Sequence, residues 1–194
     1  MADHSLSSSG SWPVQQILMD LRNPWLRLVG ERLQTPDQDT VDYWRVERAD
    51  SALVLPIWRR QVVVPPAVYR PGLGQTTLDL PGGRVTAGQD PADAAQAILH
   101  RELRLETDHI LTLERLNIEG WPVNSSFSNQ RLFGFRARLT DAAPSFPSGS
   151  QFYPFTPAGL RHLLGHLTCL QCRAVVMEGL LGLAPQTEPE QTGE

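Results

Sequence analysis

The feature that most constrains this sequence is the stretch from Leu78 to Asp108, LDLPGGRVTAGQDPADAAQAILHRELRLETD. Residues 75–80 read as a strand, halted by Pro81, Gly82 and Gly83. Proline lacks the ladder donor, and paired glycines mark a turn or a close backbone approach. Asp90 and Pro91 then open a helix. An aspartate side chain accepts from the orphan N–H groups of the first turn, and proline suits the first helical position. Asp93 adds negative charge at the positive end of the helix dipole. Ala94, Ala95, Ile98, Leu99 and Leu103 recur at helical spacing and carry the helix to about Glu106. A strand, a glycine turn, a loop and a capped helix in this order suit an α+β sandwich.

The rest of the chain agrees with α+β. Strands are predicted over residues 41–46, 52–55, 62–64 and 131–139, with a turn at Arg59, Arg60 and Gln61. A second helical region follows Thr156 and Pro157 and runs to Leu183, with a break near Gly165. The 194 residues suffice for one domain with extensions. The expected division is a tail and lead-in over 1–22, a domain over 23–183 and a disordered acidic tail over 184–194. Residues 141–151, rich in Pro and Ser, are the least regular internal stretch.

Composition excludes several function classes. With 17 basic and 21 acidic residues the net charge is −4, which disfavours nucleic acid and anionic lipid as partners. The most apolar segments, 52–57 and 62–68, are interrupted by Pro56, Arg59, Arg60, Pro65 and Pro66. They fall far short of the roughly 20 apolar residues of a membrane span. Two cysteines cannot staple a secreted scaffold, so a cytoplasmic location is expected. His162, His166, Cys169 and Cys172 follow at spacings of four, three and three. On one continuous helix they form a stripe too long to wrap a single tetrahedral ion, so packing is the preferred reading. The cysteine pair has a redox spacing, but such a motif needs a strand before it and a helix starting at it. Here the pair reads as lying inside a helix.

The Leu78 to Asp108 stretch resembles the Nudix hydrolase motif, a loop and helix that bind divalent metal and a nucleotide pyrophosphate. Tyr69, Arg70 and Pro71 before it, and Phe127, Ser128, Asn129 and Gln130 after it, are similar to the ADP-ribose and ADP-sugar pyrophosphatase branch. The resemblance implies a Nudix-type α/β/α sandwich with a mixed sheet and Mg²⁺ as cofactor. It also implies a nucleoside-diphosphate ligand and a homodimer in which the N-terminal region often exchanges between subunits.

The motif can be counted in two registers. Counted strictly from Gly83, Gln89, Ala97, Ile98 and Arg101 replace expected residues, and Glu102 alone keeps its carboxylate. A loop longer by four residues puts Asp93 at the first acid, matches Arg101 and Glu102, and brings in Glu106. In that preferred register Glu102 and Glu106 share a helical face and are the candidate catalytic and metal-ligating residues. Asp93 is then either a third ligand or an ordinary first-turn residue. Arg70, Gly82, Gly83 and Arg84 are the candidate substrate-binding residues, since guanidinium groups match phosphate oxygens. Asn129 and Gln130 stand where the branch carries acids, and an amide cannot take a proton from water at neutral pH. Three readings follow: a hydrolase with weak or altered activity, a nucleotide-binding or regulatory member without hydrolysis, and a protein-interaction scaffold.

Overall fold

The computed structural model describes residues 11–142 and 145–183. The expected tail over 184–194 lies outside them, as do residues 1–10. Contacts divide the chain into two units. The first comprises residues up to Ala49 together with Pro122–Gln130, and the second Asp50–Trp121 and the described residues from Arg131 onward.

The first unit is an antiparallel meander of β1 (Val14–Arg22), β2 (Arg27–Gln34) and β3 (Thr40–Glu47). Of these only β3 is legible in sequence. β1 was expected to be lead-in, because its mixed residues give no clean alternation and nearly all are exposed. Bulges between Val14 and Gln16 and between Ile17 and Met19 break its period further. Asn23 sets the first hairpin: its Oδ1 accepts from Trp25 N–H at 2.7 Å and Leu26 N–H at 3.0 Å. Gly30 faces Trp44 in register, and a Cβ there would lie 2.7 Å from the indole ring. Ion pairs lace the surface, running Asp20–Arg27–Glu47–Arg45–Glu31.

The second unit contains, in chain order, β4 (Ser51–Trp58), β5 (Gln61–Val64), β6 (Val68–Arg70), β7 (Gln75–Thr77), β8 (Gly82–Arg84) and α1 (Pro91–Leu103). There follow β9 (Ile110–Arg115), β10 (Trp121–Pro122, of which Trp121 belongs to this unit), β11 (Arg131–Leu139), β12 (Gln151–Pro154), α2 (Pro157–His166) and α3 (Leu170–Leu181). The main sheet runs β10–β11–β4–β5–β12, with β8 on β4 and β9 on β11, while β6 and β7 form a separate hairpin. β4 and β11 pair in parallel, whereas β9 on β11 and β5 and β8 on β4 are antiparallel, so the sheet is mixed. β4 is buried along most of its length because helices cover both its faces. Ala52, Val54, Phe135 and Ala137 pack with Ala95, Ile98, Leu99 and Leu103 of α1. On the opposite face α3 comes so close that a Cβ on Gly179 would lie 2.5 Å from Leu55 Cδ2.

Three sequence expectations need correction. Gly82 and Gly83 do not merely stop a strand: they pair with Leu53 and Ala52 as β8, and a Cβ on Gly82 would sit 2.2 Å from Leu53 Cδ2. Helix α1 ends at Leu103, not near Glu106, because Arg104 adopts the left-handed conformation and turns Leu105 into the core. Cys169 and Cys172 do not both lie inside a helix: Cys169 is the N-cap of α3, and Cys172 sits in its first turn. Within 141–151, Phe146 packs edge-on against Trp58 at 5.3 Å.

Candidate functional site

The capped helix forms as its sequence requires. Asp90 Oδ1 accepts from Ala92 N–H at 2.7 Å and also pairs with Arg115. The buried face of α1 packs on β8, which brings the helix's last turn against the glycine strand. There Glu102 Oε2 accepts from Gly82 N–H at 3.2 Å, and Arg101 donates to Gly82 carbonyl at 2.9 Å. Arg101 and Glu102 also pair with each other at 2.6 Å. Gly83 leaves room for this arrangement, since a Cβ there would lie 3.0 Å from Arg101 Nη2 and 3.1 Å from Ile98 Cγ1.

The other candidate acids are not brought to Glu102. Glu106 follows the end of α1, caps a short 3₁₀ turn over Thr107–His109, and faces His100 Nδ1 at 3.3 Å. Asp93 is exposed on the first turn, nine residues before Glu102, a rise of about 13 Å along the axis. Among the described residues, Glu102, Glu106 and Asp93 do not make a three-ligand cluster with donor atoms within 4.8 Å of one another. This donor set does not fit Mg²⁺, which wants several oxygens in near-octahedral array. A guanidinium about 4 Å from a divalent ion, at an effective dielectric near 20, repels it by about 8 kcal/mol. Arg101 stands in that relation to any ion placed on Glu102.

The arginines are exposed. Arg70 Nη2 pairs with Asp79 at 2.7 Å, and Arg84 ends β8. In the first unit, the amides of Asn129 and Gln130 hold backbone: Asn129 Oδ1 accepts from Arg48 N–H at 2.8 Å, and Gln130 Nε2 donates to Ala49 carbonyl at 3.0 Å. His162 and His166 lie edge-on to each other at 4.7 Å and both meet Tyr153, apart from any ligand cluster among the described residues.

Sequence reasoning missed a cleft of about 690 Å³ in the second unit, where Arg59, Arg60, Arg136 and Arg138 converge beside Asp141. Arg59 and Arg60 both take positive φ at the β4–β5 turn, +45° and +63°, a conformation that favours Asn or Gly. That Arg-Arg pair where a hairpin demands Asn-Gly was the available signal.

No family model and no curated protein sequence matches this chain. A solved structure does. The crystal structure of an ADP compounds hydrolase superposes with a TM-score of 0.64 at 16% identity, over 88% of this chain and 94% of that one. The fold is of the Nudix type. At that identity the likeness concerns the backbone, and the chemistry must be argued from the side chains present. The glycine turn and α1 are both present, and the helix end at Arg104 leaves Glu106 outside the helix that carries Glu102. Among the described residues no helix is long and apolar enough to cross a membrane.

Proposed function

We propose that this Nudix-fold chain binds a nucleoside-diphosphate compound of the ADP-ribose class at the Gly82–Arg84 turn, with metal-dependent hydrolysis very weak or lost. The observation that carries the reading is Glu102. One of its oxygens accepts from Gly82 N–H and the other from Arg101, so the carboxylate is engaged by the turn it was expected to serve through a metal. Neutralised by Arg101, the turn no longer repels a pyrophosphate; Arg84, which ends β8, and Arg70, which pairs with Asp79, are the charged partners in this reading. A Mg²⁺-dependent pyrophosphatase using Glu102, Glu106 and Asp93 is disfavoured by the same observation. The proposed partner besides the nucleotide is a second copy of the chain, supported by the exposed Ile17, Met19 and Leu21 on β1.

Calorimetric titration with ADP-ribose, in Mg²⁺ and again in EDTA, tests the reading, with AMP release followed beside an active hydrolase. Binding that is indifferent to EDTA and without AMP is expected. Arg70→Ala and Arg84→Ala should each weaken it by about 1.5–3 kcal/mol, roughly 10- to 100-fold. If Arg60→Ala and Arg138→Ala weaken it instead, the ligand sits in the arginine cleft. Mg²⁺-dependent turnover abolished by Glu102→Gln would sink the proposal, and so would no binding at all.

A further inference from the structure

Three groups meet at the start of α3: the donor atoms of Asp79, Cys169 and Cys172 all lie within 4.8 Å of one another. The chain reaches this point through Leu167, which bridges to Leu78 in parallel, and the helix begins at Leu170. A helix starting on the first cysteine is the part of the Cys-x-x-Cys redox context present here, preceded by the single bridged residue Leu167 in place of a full strand. The two sulfurs are not equivalent. Cys169 is partly exposed at the N-cap, whereas Cys172 is buried at 1% exposure. Cys172 Sγ lies 3.8 Å from Asp79 Oδ1 and accepts from Leu80 N–H at 3.4 Å.

From this arrangement we propose that Cys169 and Cys172 are a redox-active dithiol, oxidised reversibly by a small-molecule disulfide to an intramolecular Cys169–Cys172 disulfide. Hydrogen bonds from the Cys172 thiol, and then from the Cys172 and Gln171 N–H groups, pull the Cys169 thiol down to about 6. Its bond to Cys169 and then its burial push Cys172 far the other way. Cys169 is therefore the nucleophile and Cys172 the resolving thiol. The Cys169 thiolate attacks one sulfur of glutathione disulfide, the S–S bond breaks, and one glutathione thiolate leaves and takes up a proton. Cys172 gives up its proton, to Asp79 or to water, and attacks the Cys169 sulfur, expelling the second glutathione. Two protein thiols become one disulfide, and one glutathione disulfide becomes two thiols. The proposal is independent of what the glycine turn binds.

The test uses the full chain, reduced, desalted, incubated in glutathione redox buffers, then alkylated and weighed intact by mass spectrometry. The wild type should lose two hydrogens, retain no glutathione, and recover both thiols on reduction. Cys172→Ser should trap one glutathione on Cys169, and Cys169→Ser should stay unmodified over the same time. Cys172→Ala repeats the trap should the serine variant fold poorly, with circular dichroism as the control. Wild-type protein that keeps both thiols in excess glutathione disulfide, or that accumulates the mixed adduct, would overturn the proposal. Protein purified with one zinc per chain, both thiols resisting alkylation until a chelator is added, would replace it with a metal site.

Discussion

Replacing Glu102 with alanine separates a structural carboxylate from a metal ligand by the sign of the effect. In this structure the change deletes an ionised acceptor from Gly82 N–H and the pair with Arg101. A hydrogen bond to a charged group contributes about 1.5–3 kcal/mol. The Arg101 side chain is 58% exposed and that of Glu102 27%, so their pair adds no more than about 1 kcal/mol. The expected cost is therefore about 2–3 kcal/mol. For a chain of this size that lowers Tm by about 4–12 °C, whether Mg²⁺ or EDTA is present. Glu102→Gln keeps an acceptor for Gly82 and should lose about half as much. A carboxylate held for a metal behaves in the opposite way. Its removal from the metal-free protein relieves repulsion and leaves Tm unchanged or higher, and Mg²⁺ at 100 times its Kd raises wild-type stability by about 2.7 kcal/mol. Melting followed by circular dichroism, with and without saturating Mg²⁺, measures both. An unchanged or raised Tm in Glu102→Ala, together with a wild-type Mg²⁺ shift that the variant lacks, would refute the reasoning.

Three further outcomes are expected. Gly82→Ala should destabilise by about 1–3 kcal/mol or more in chemical denaturation, since its Cβ would stand 2.2 Å from Leu53 Cδ2, whereas Gly83→Ala should cost less because Arg101 can swing aside. In the first unit, Arg27 and then Arg22 hold Asp20 well below the usual carboxylate range, and Arg45 lowers Glu47. Their folded pKa values are depressed, so their contribution is complete above about pH 5 and is lost as pH falls below 4; amide exchange of β1 and β2 should quicken over that window, less steeply in Asp20→Asn and less in high salt. Light scattering should give the mass of a homodimer, and Ile17→Asp with Leu21→Asp should give a monomer if exposed β1 is its contact surface.

Local chemistry made part of this protein legible from sequence. Asp90, Pro91 and Thr156, Pro157 announce their helices because a helix start needs only neighbouring residues; Asp90 caps as expected, and Thr156 Oγ1 caps the second helix. The continuous apolar run of β4 and the Gly-Gly turn likewise depend on residues close in sequence. β1 escaped notice because an exposed, bulged edge strand has no buried face to impose a period. Where α1 stops was decided by tertiary packing: burying Leu105 forces Arg104 into a left-handed turn that no cap residue signals, and Glu106 leaves the helix with it. The start of α3 was decided in the same way, since Leu167 bridges to Leu78 far along the chain and leaves Cys169 at the helix cap beside Asp79. The sequence thus determined the α+β frame and the residues from which a site could be built. Which of those residues meet was settled only by the packing of the sheet against its helices, because helix ends are placed by long-range burial.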